Sequence, residues 1–325
     1  METIEKKYCP EDLVKLGVKE VCVIIPAHNS ERRIRGVLAN LAAQPLPEEV
    51  RLRVLVCANA CRDDTAGQAS LGLDALCEAR RGTETRLIET EVSGQANALN
   101  VLVQAAGEPG VVIELQDDVY PSKGALVNLV AAMAERPDLG AVSVTNMPIP
   151  EHKGRDGSWC AKVAYRLRTK DNFSKTGLVD RFAAFRPKVI GKFPDLVSVD
   201  CFMAMRSLDQ AGGYGVIQPE VAEVFYRLPK TMGDLLDQQD MYVKGTLQAR
   251  QWWRNNVRPV HEDLRKNKLK AAMDGMMKTM ADKELSLDEK LGVVALIFYG
   301  RLVSRLKNRL DPYRSGVRSR IWSSV

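Results

Sequence analysis

Apolar and polar residues follow each other along the first 145 residues in blocks that predict strands alternating with helices. Short apolar runs rich in β-branched residues, each predicting a buried strand, stand at 20–26, 52–57, 87–92, 111–115 and 140–144. Apolar positions at helical spacing occur in residues 31–43, 65–79, 95–106 and 122–135. This alternation is typical of a doubly wound α/β sheet.

The pattern changes twice further along the chain. From about residue 150 it becomes less regular and is interrupted by Pro and Gly up to about residue 230, which predicts a second half that covers the first. From residue 261 the chain is basic with helical spacing. We therefore expect an α/β half over 1–150, a second half of the same domain over 151–260, and a basic amphipathic helical region over 261–325.

Composition limits the class of protein. Hydrophobic residues form 45% of the 325 residues and charged residues 27%, which is ordinary for a globular protein and excludes a disordered or fibrous chain. The seven cysteines are scattered without CxxC spacing, so neither a disulfide framework nor a zinc site is predicted. Residues 1–7 lack the apolar core of a secretory signal, and no apolar run reaches the roughly 20 residues that span a bilayer. We expect a cytoplasmic protein with reduced thiols.

The net charge of +6 is concentrated near the end of the chain, where seven Arg and Lys residues between 301 and 320 face only Asp311. The preceding apolar run, 291–302, would form an amphipathic helix with one cationic face. Such a helix suits contact with an anionic membrane surface at the inner face of the membrane. It also suits packing on the protein's own domain with a solvated basic face, which is the more common arrangement.

Polar residues follow the predicted strands, where doubly wound sheets bind their ligands. His28 and Asn29 come after the first strand, residues 59–65 after the second, and residues 116–118 after the fourth. Pro26 is expected to end its strand, and Asn29 to cap the next helix and leave backbone amides free for a ligand. Caps and turns without any ligand are the structural alternative.

Four strings between residues 23 and 126 resemble, in order and spacing, the family-2 glycosyltransferases: VIIPAHNSERRIRGVL, VLVCANACRDDTA, GQANALN and IELQDDVYPSKGAL. The resemblance implies a GT-A fold: a doubly wound mixed sheet flanked by helices, here with a helical C-terminal appendage. It also implies a hexosyltransferase-type enzyme that uses a UDP- or GDP-sugar and inverts the anomeric centre.

The resemblance implies donor contacts on the polar loops. The donor-binding positions are Pro26, Ala27, His28, Asn29, Glu31, Asn59, Asp63, Gln95, Asn97, Asn100, Gln116 and Asp117. Two of them depart from the family pattern. Asn59 stands where aspartate is usual, and an amide can donate as well as accept a hydrogen bond. Gln95 replaces a lysine, which removes one positive charge near the diphosphate.

The string Gln116-Asp117-Asp118 takes the place of the family's Asp-x-Asp motif. Asp118 is the predicted metal ligand, with Asp117 a substitute for the partner that Gln116 replaces. A Mg²⁺ or Mn²⁺ ion held there would neutralise the charge that develops on a diphosphate leaving group. The enzyme assignment requires Asp118 to lie at the same edge of the sheet as Asn59. Asp118 on a different face, or buried against a Lys or Arg, would overturn that assignment.

The second half resembles the acceptor side of the family. Residues 181–206 place Asp200 where a general base is expected, and a helix cap is the structural alternative. Gln238 matches the family's Gln-x-x-Arg-Trp segment, but Met241 and Tyr242 replace Arg-Trp, which argues against a processive polymerase. Trp252 and Trp253 are predicted acceptor contacts, with interface packing as the alternative.

We therefore predict transfer of a sugar to a lipid-linked or glycan acceptor that the sequence does not identify. Two alternatives stay open at this stage. The altered motif positions would suit a non-catalytic nucleotide-sugar-binding protein. The basic tail and the Trp pair would suit a nucleic-acid-modifying glycosyltransferase, but the chain contains no recognised nucleic-acid-binding motif, so nucleic acid is not the expected partner.

Overall fold

The computed structural model describes residues 1–107, 109–148, 181–196, 198–226, 231–256 and 287–299. The chain divides into two compact units. The first contains the described residues of 1–147 and 181–226, and the second contains residues 148, 231–256 and 287–299. The limits predicted at residues 150 and 260 stay predictions.

The strands are β1 (Glu2–Ile4), β2 (Glu20–Ala27), β3 (Arg51–Asn59), β4 (Glu84–Thr90), β5 (Val112–Leu115), β6 (Val119–Pro121), β7 (Ala141–Pro148), β8 (Phe182–Phe185), β9 (Tyr214–Ile217) and β10 (Glu223–Tyr226). The sheet runs in the order β1-β9-β7-β8-β5-β2-β3-β4, and β10 pairs with β6 and β7. Strands β5, β2, β3 and β4 pair in parallel with one another, whereas β8 is antiparallel to both β5 and β7. The sheet is therefore mixed, as predicted.

The helices of the first unit are α1 (Pro10–Lys15), α2 (Ile34–Ala42), α3 (Thr65–Ala79), α4 (Gln95–Ala105), α5 (Ala125–Glu135), α6 (Pro187–Ile190) and α7 (Val199–Gln210). Helix α4 packs on β2 and β3, α2 packs on α3, and α5 packs on β8. Every residue of β2 from Val21 to Ala27 is buried, as expected for a parallel strand that is covered on both faces. The strands and helices predicted within the first 145 residues are all present.

Two local predictions at the end of β2 are wrong. The strand continues through Pro26, which is in register with Cys57 of β3. Proline is tolerated there because β5 pairs only with Val23 and Ile24. Asn29 does not cap α2, because a turn intervenes in which the Ser30 carbonyl accepts from the amides of Arg33 and Ile34. The helix therefore begins at Ile34.

Aromatic side chains connect β8 to α7 and so help to position Asp200. The rings of Phe185 and Phe193 meet edge to face with centroids 5.6 Å apart, and Phe193 lies 5.9 Å from Phe202 of α7. Phe185, Phe193 and Phe202 are all buried. Helix α7 also packs on α6 and β9.

The second unit contains two described helices, α8 (Met232–Asn256) and α9 (Leu287–Phe298). The Tyr299 hydroxyl donates to Asp240 of α8 at 3.3 Å. Among the helices that the structure describes, none is both long and apolar enough to cross a membrane. The basic residues from 301 to 320 lie outside the described residues, and their contact with an anionic membrane surface stays a prediction.

Candidate active site

Asp117 connects the turn after β5 to the loop after β2. Its Oδ2 atom accepts from the His28 backbone amide at 2.9 Å and from the Ser30 hydroxyl. His28 Nδ1 lies 2.6 Å from the Asn59 carbonyl oxygen at the end of β3, so this nitrogen carries the proton, because a carbonyl can only accept. The carboxyl ends of β2, β3 and β5 therefore meet at one edge of the sheet. Burial and the neighbouring charge of Asp118 raise the pKa of Asp117 to about 6.

The loops after β2 and β3 both contain a strained residue. Asn29 (φ 48°) and Ala60 (φ 50°) are the non-glycine residues with positive φ in the part of the chain that the structure describes. The Asn29 Oδ1 atom accepts from the Arg62 amide at 2.9 Å, and its Nδ2 lies 3.0 Å from His28 Nε2. Such backbone strain is retained only where neighbouring contacts determine the conformation. The two loops thus hold each other in a fixed arrangement.

Asp63 and Glu31 cross-link the same two loops. Asp63 Oδ1 accepts from the amide (3.1 Å) and the hydroxyl of Thr65, and Asp63 Oδ2 accepts from the Glu31 amide at 3.2 Å. Glu31 Oε2 in turn accepts from the Asp64 amide at 3.2 Å. Burial raises the pKa of Asp63, but the hydrogen bonds from Thr65 and Glu31 outweigh it, so that the pKa is lowered overall. Both oxygens of Asp63 are therefore bonded to the protein's own chain.

Asn59 lies beneath the segment that leads into α4. Its side chain is buried, with 1% of the residue exposed. The Nδ2 group donates to the Gly94 carbonyl at 2.9 Å, which fixes the orientation of the amide. The Oδ1 atom is buried and has no hydrogen-bond partner among the described residues. Asn59 Oδ1 thus remains an acceptor for a further contact, while one of the two N–H groups of Nδ2 is used.

The other predicted donor contacts on α4 bond to the protein itself. Gln95 Nε2 donates to Glu114 Oε1 at 3.0 Å, and Asn97 Nδ2 donates to the Val92 carbonyl at 2.8 Å. Asn100 forms a reciprocal pair with the Phe193 backbone, donating to its carbonyl at 2.8 Å and accepting from its amide at 2.9 Å. Both ends of the Asn100 amide are thereby used. Donor contacts by these three residues stay predictions.

Asp118 forms an ion pair with a residue that the sequence analysis did not assign to the site. Its Oδ2 atom accepts from Arg181 Nη1 at 3.3 Å, and the side chains of Asp118 and Arg181 are 13% and 12% exposed. The guanidinium lies 4.4 Å from the centroid of the Tyr226 ring. Asp118 Oδ1 is buried and has no hydrogen-bond partner among the described residues. Asp118 is thus largely buried against an arginine, which is the contact expected to overturn the enzyme assignment, but the pair uses only one oxygen of the carboxylate.

Asp118 still fits a cation site in which substrate and water supply most of the ligands. Mg²⁺ and similar cations retain several waters and commonly bind through one or two carboxylates together with substrate phosphates. Within the described ranges, no group of three His, Cys, Asp or Glu residues is placed to hold a metal. A cation here would therefore be held by the unpartnered Oδ1 of Asp118, with the remaining ligands supplied by diphosphate and water.

Asp200 lies in the first turn of α7. Its Oδ1 atom accepts from the Ser198 hydroxyl and from the Cys201 amide at 2.6 Å, which are the bonds of a residue that stabilises a helix start. Burial raises the pKa of Asp200, while the nearby charge of Arg181 lowers it in part. The same guanidinium therefore acts on both Asp118 and Asp200. The role of Asp200 as a base stays a prediction.

The predicted acceptor contacts lie on α8, in the second unit. Trp253 is buried and Trp252 and Gln238 are half-buried, so Trp253 supports the packing interpretation. Acceptor contacts by these three residues stay predictions.

Three further residues were predicted to contact the sugar donor. The Gln116 backbone amide donates to the Arg181 carbonyl at 2.9 Å, and Pro26 and Ala27 are buried within β2.

The sequence analysis missed Ser30, Thr65, Arg181 and Tyr226. Ser30 and Thr65 stand inside the quoted motifs, and their hydroxyl groups beside acidic loops were an available signal. Arg181 immediately precedes the apolar run Phe182–Phe185. Only the antiparallel pairing of that strand with β5 places it beside Asp118.

A sequence model of glycosyl transferase family 2 matches residues 22–193, which is more than half of the chain. The chain belongs to glycosyl transferase family 2. The match includes the loops after β2 and β3, the turn after β5, and Arg181. No curated protein matches this glycosyltransferase in sequence.

Several solved glycosyltransferase structures are similar to this one. A mannosyltransferase from Pyrobaculum calidifontis, in complex with GDP-mannose and Mn²⁺, is 20% identical with a TM-score of 0.52, over 94% of this chain and 84% of that chain. Glucosyl-3-phosphoglycerate synthase from Mycobacterium tuberculosis, in complex with Mn²⁺, UDP-glucose and phosphoglyceric acid, is 15% identical with a TM-score of 0.53. The match covers 77% of this chain and 87% of that chain. Mannosyl-3-phosphoglycerate synthase from Rubrobacter xylanophilus is 15% identical with a TM-score of 0.51, over 81% and 84%. At these identities the likeness concerns the fold, and it confirms the predicted GT-A architecture.

Proposed function

We propose that this family-2 glycosyltransferase is a metal-dependent, inverting and non-processive enzyme that transfers a sugar from a UDP- or GDP-sugar to a lipid-linked or glycan acceptor. The observation that carries the proposal is the unpartnered, buried Oδ1 of Asp118 at the edge of the sheet where the loops after β2 and β3 also end. A carboxylate oxygen without a partner is costly to bury. A cation bound together with a diphosphate would satisfy it.

The preference for a uracil or guanine nucleotide is argued from Asn59. One of its two N–H groups is bonded to the Gly94 carbonyl, which fixes the amide, and its Oδ1 remains an acceptor. An acceptor at this position pairs with the ring N–H of uracil or guanine, whereas the corresponding ring nitrogen of cytosine or adenine is itself an acceptor. Because Asn59 is buried, contact with a base requires that the segment around Gly94 shifts. The donors named for the similar structures, GDP-mannose and UDP-glucose, agree with this preference.

The chemistry uses two carboxylates. A bound cation would supply positive charge to the departing diphosphate, with Asp118 as its protein ligand. Asp200 accepts the proton of the acceptor hydroxyl as that oxygen attacks the anomeric carbon from the side opposite the diphosphate. A single displacement of this kind inverts the anomeric centre. Met241 and Tyr242, which replace the Arg-Trp pair of processive relatives, support release of the product after one transfer.

The test is a screen of nucleotide sugars by thermal unfolding with Mn²⁺ and with EDTA, since a ligand that binds the folded state raises its stability. We expect UDP- or GDP-sugars to raise the melting temperature with Mn²⁺, and CDP- and ADP-sugars to have no effect. The bound donor should also be hydrolysed slowly, and Asp118→Ala should abolish that hydrolysis. Donor binding without hydrolysis or transfer to any acceptor would favour a non-catalytic binding protein. No binding of any nucleotide sugar would overturn the proposal.

A further inference from the structure

The positive charge of Arg181 lies beside Asp118, where the proposed cation would also bind. Its Nη1 atom donates to Asp118 Oδ2 at 3.3 Å, and its side chain is largely buried. The guanidinium also lies over the Tyr226 ring, where an arginine is attracted to the electrons of the ring face. At its own backbone, Arg181 accepts from the Gln116 amide. Its side chain therefore stays close to the turn after β5 whether or not it is bonded to Asp118.

The bond between Arg181 and Asp118 can be displaced. Strong Arg–carboxylate pairs use two parallel bonds of about 2.7–2.9 Å, whereas the structure shows one bond, and that bond is longer. A divalent cation on Asp118 Oδ1 would lie within a few ångströms of the guanidinium, and two positive charges at that distance repel each other. A cation on Oδ1 would thus weaken the bond of the guanidinium to Oδ2, and the guanidinium would weaken binding of the cation.

We propose that Arg181 competes with the divalent cation for Asp118, so that the cation binds tightly only together with a nucleoside diphosphate. This inference rests on the proposed function. The negative charges of a diphosphate would attract both the cation and the displaced guanidinium, and so remove the repulsion. Arg181 therefore makes cation binding dependent on the donor, and acts as a positioning residue that is not itself a metal ligand.

The experiment measures Mn²⁺ binding by electron paramagnetic resonance, in which free Mn²⁺ is observed, and by calorimetry. Wild-type protein and Arg181→Gln are titrated with MnCl₂ alone and then with MnCl₂ in the presence of UDP or GDP. We expect Arg181→Gln to bind Mn²⁺ alone about tenfold more tightly, within the range of about 5- to 150-fold that is typical of coupling between two sites. The gain in Mn²⁺ affinity on adding nucleotide should be smaller in Arg181→Gln than in the wild type.

Three controls keep the result specific. Arg181→Lys retains the charge and should bind Mn²⁺ alone as weakly as the wild type. Adding Asp118→Asn to Arg181→Gln should abolish the gained binding. Arg53→Gln removes another ion-paired arginine of similarly low exposure, at the start of β3 and so at the opposite edge of the sheet, and should leave Mn²⁺ binding unchanged. Thermal unfolding of each variant verifies that it is folded.

Equal Mn²⁺ binding by folded Arg181→Gln would overturn the inference, because the arginine would then not affect the cation. Weaker binding would also overturn it, because it would mean that the arginine orients Asp118 for the cation. That result leaves the proposed function intact if the wild type still binds and hydrolyses a nucleotide sugar with Mn²⁺. Nucleotide-sugar turnover that is unchanged in EDTA would overturn both the inference and the metal-dependent part of the proposed function.

Discussion

Two turns at the same edge of the sheet each contain a pair of adjacent aspartates, but they use them differently. In the loop after β3, both oxygens of Asp63 accept hydrogen bonds from Thr65 and Glu31. In the turn after β5, Asp117 binds the loop after β2, whereas Asp118 keeps one buried oxygen without a hydrogen-bond partner among the described residues. Similar composition therefore gives a carboxylate that stabilises a loop in one place and one that is available to a ligand in the other.

The difference arises from which donors surround each carboxylate. Asp63 lies two residues before the start of α3, where backbone amides and the Thr65 hydroxyl are close by. Asp118 lies between two short strands, and its one described donor, Arg181, immediately precedes β8, more than sixty residues later in the chain. A carboxylate near a helix start obtains local partners. One that follows a buried strand depends on what the rest of the fold supplies.

The largest effect is expected for Asp118→Asn. The amide can still accept from Arg181, but it binds a cation poorly and carries no charge. Loss of cation stabilisation of the leaving diphosphate should lower donor turnover by about a thousandfold, equivalent to about 4 kcal/mol. Steady-state release of nucleoside diphosphate measures the effect.

Asp63→Asn is the matched control and should reduce stability more than turnover. An amide offers one acceptor in place of two, so either Thr65 or Glu31 loses its bond. We expect a loss of about 1–3 kcal/mol in the free energy of unfolding, measured by urea denaturation, with a much smaller loss of turnover. If Asp63→Asn reduced turnover as much as Asp118→Asn does, the two carboxylates would not differ in the way described here.

Asp200 combines the two roles, because it bonds to the start of α7 as Asp63 bonds to its loop and is also the proposed general base. Burial raises its pKa above the ordinary value of about 3.9, and a base must be ionised to accept a proton. The rate should therefore fall as the pH is lowered through this raised pKa. Asp200→Asn should lower kcat by at least about a hundredfold and remove this acidic limb from the pH–rate profile.

Asp209→Asn, an exposed position on the same helix, should leave both the rate and the profile unchanged. An acidic limb that persists in the residual activity of Asp200→Asn would assign the titration to another group and count against Asp200 as the base.

The smallest effect is expected for Asn100→Ala, which tests a side chain that is bonded only to the protein itself. The variant leaves the amide and carbonyl of Phe193, a buried residue, without their partner. We expect a loss of about 1–2 kcal/mol in stability with little change in the KM for the donor. Asn97→Ala on the same helix removes one exposed bond and should cost less than about 0.5 kcal/mol. A large rise in KM for Asn100→Ala would instead support direct donor contact.

The sequence predicted the parts of the fold that are determined locally. The runs that became β2, β3 and β5 are apolar and bounded by polar turns, and the helical spacing of residues 65–79 coincides with α3. Strands β8, β9 and β10 have four residues each, which is too short for a clear periodic signal. The cap predicted at Asn29 failed because its Oδ1 bonds to Arg62, a contact across two loops that local preference does not encode.

The site was predictable as a set of positions but not as a set of contacts. The order of the motifs indicated that Asn59, Asp117 and Asp118 stand at strand ends, and the fold brings those ends together. The bond from Asn59 to Gly94 and the pair between Asp118 and Arg181 depend on strand order and direction. These contacts decide which atoms remain available, and they required the structure.

The direction of β8 has a consequence for how readily related enzymes can vary. Because β8 runs against β5, the residue that precedes β8, and not the one that follows it, lies beside the turn after β5. Arg181 is that residue, just outside the four buried residues of the strand. In the proposed competition, a substitution at position 181 would change the affinity of Asp118 for a cation while the interior of the sheet keeps its packing. The proposed cation dependence would then be adjusted at a single position outside the strand.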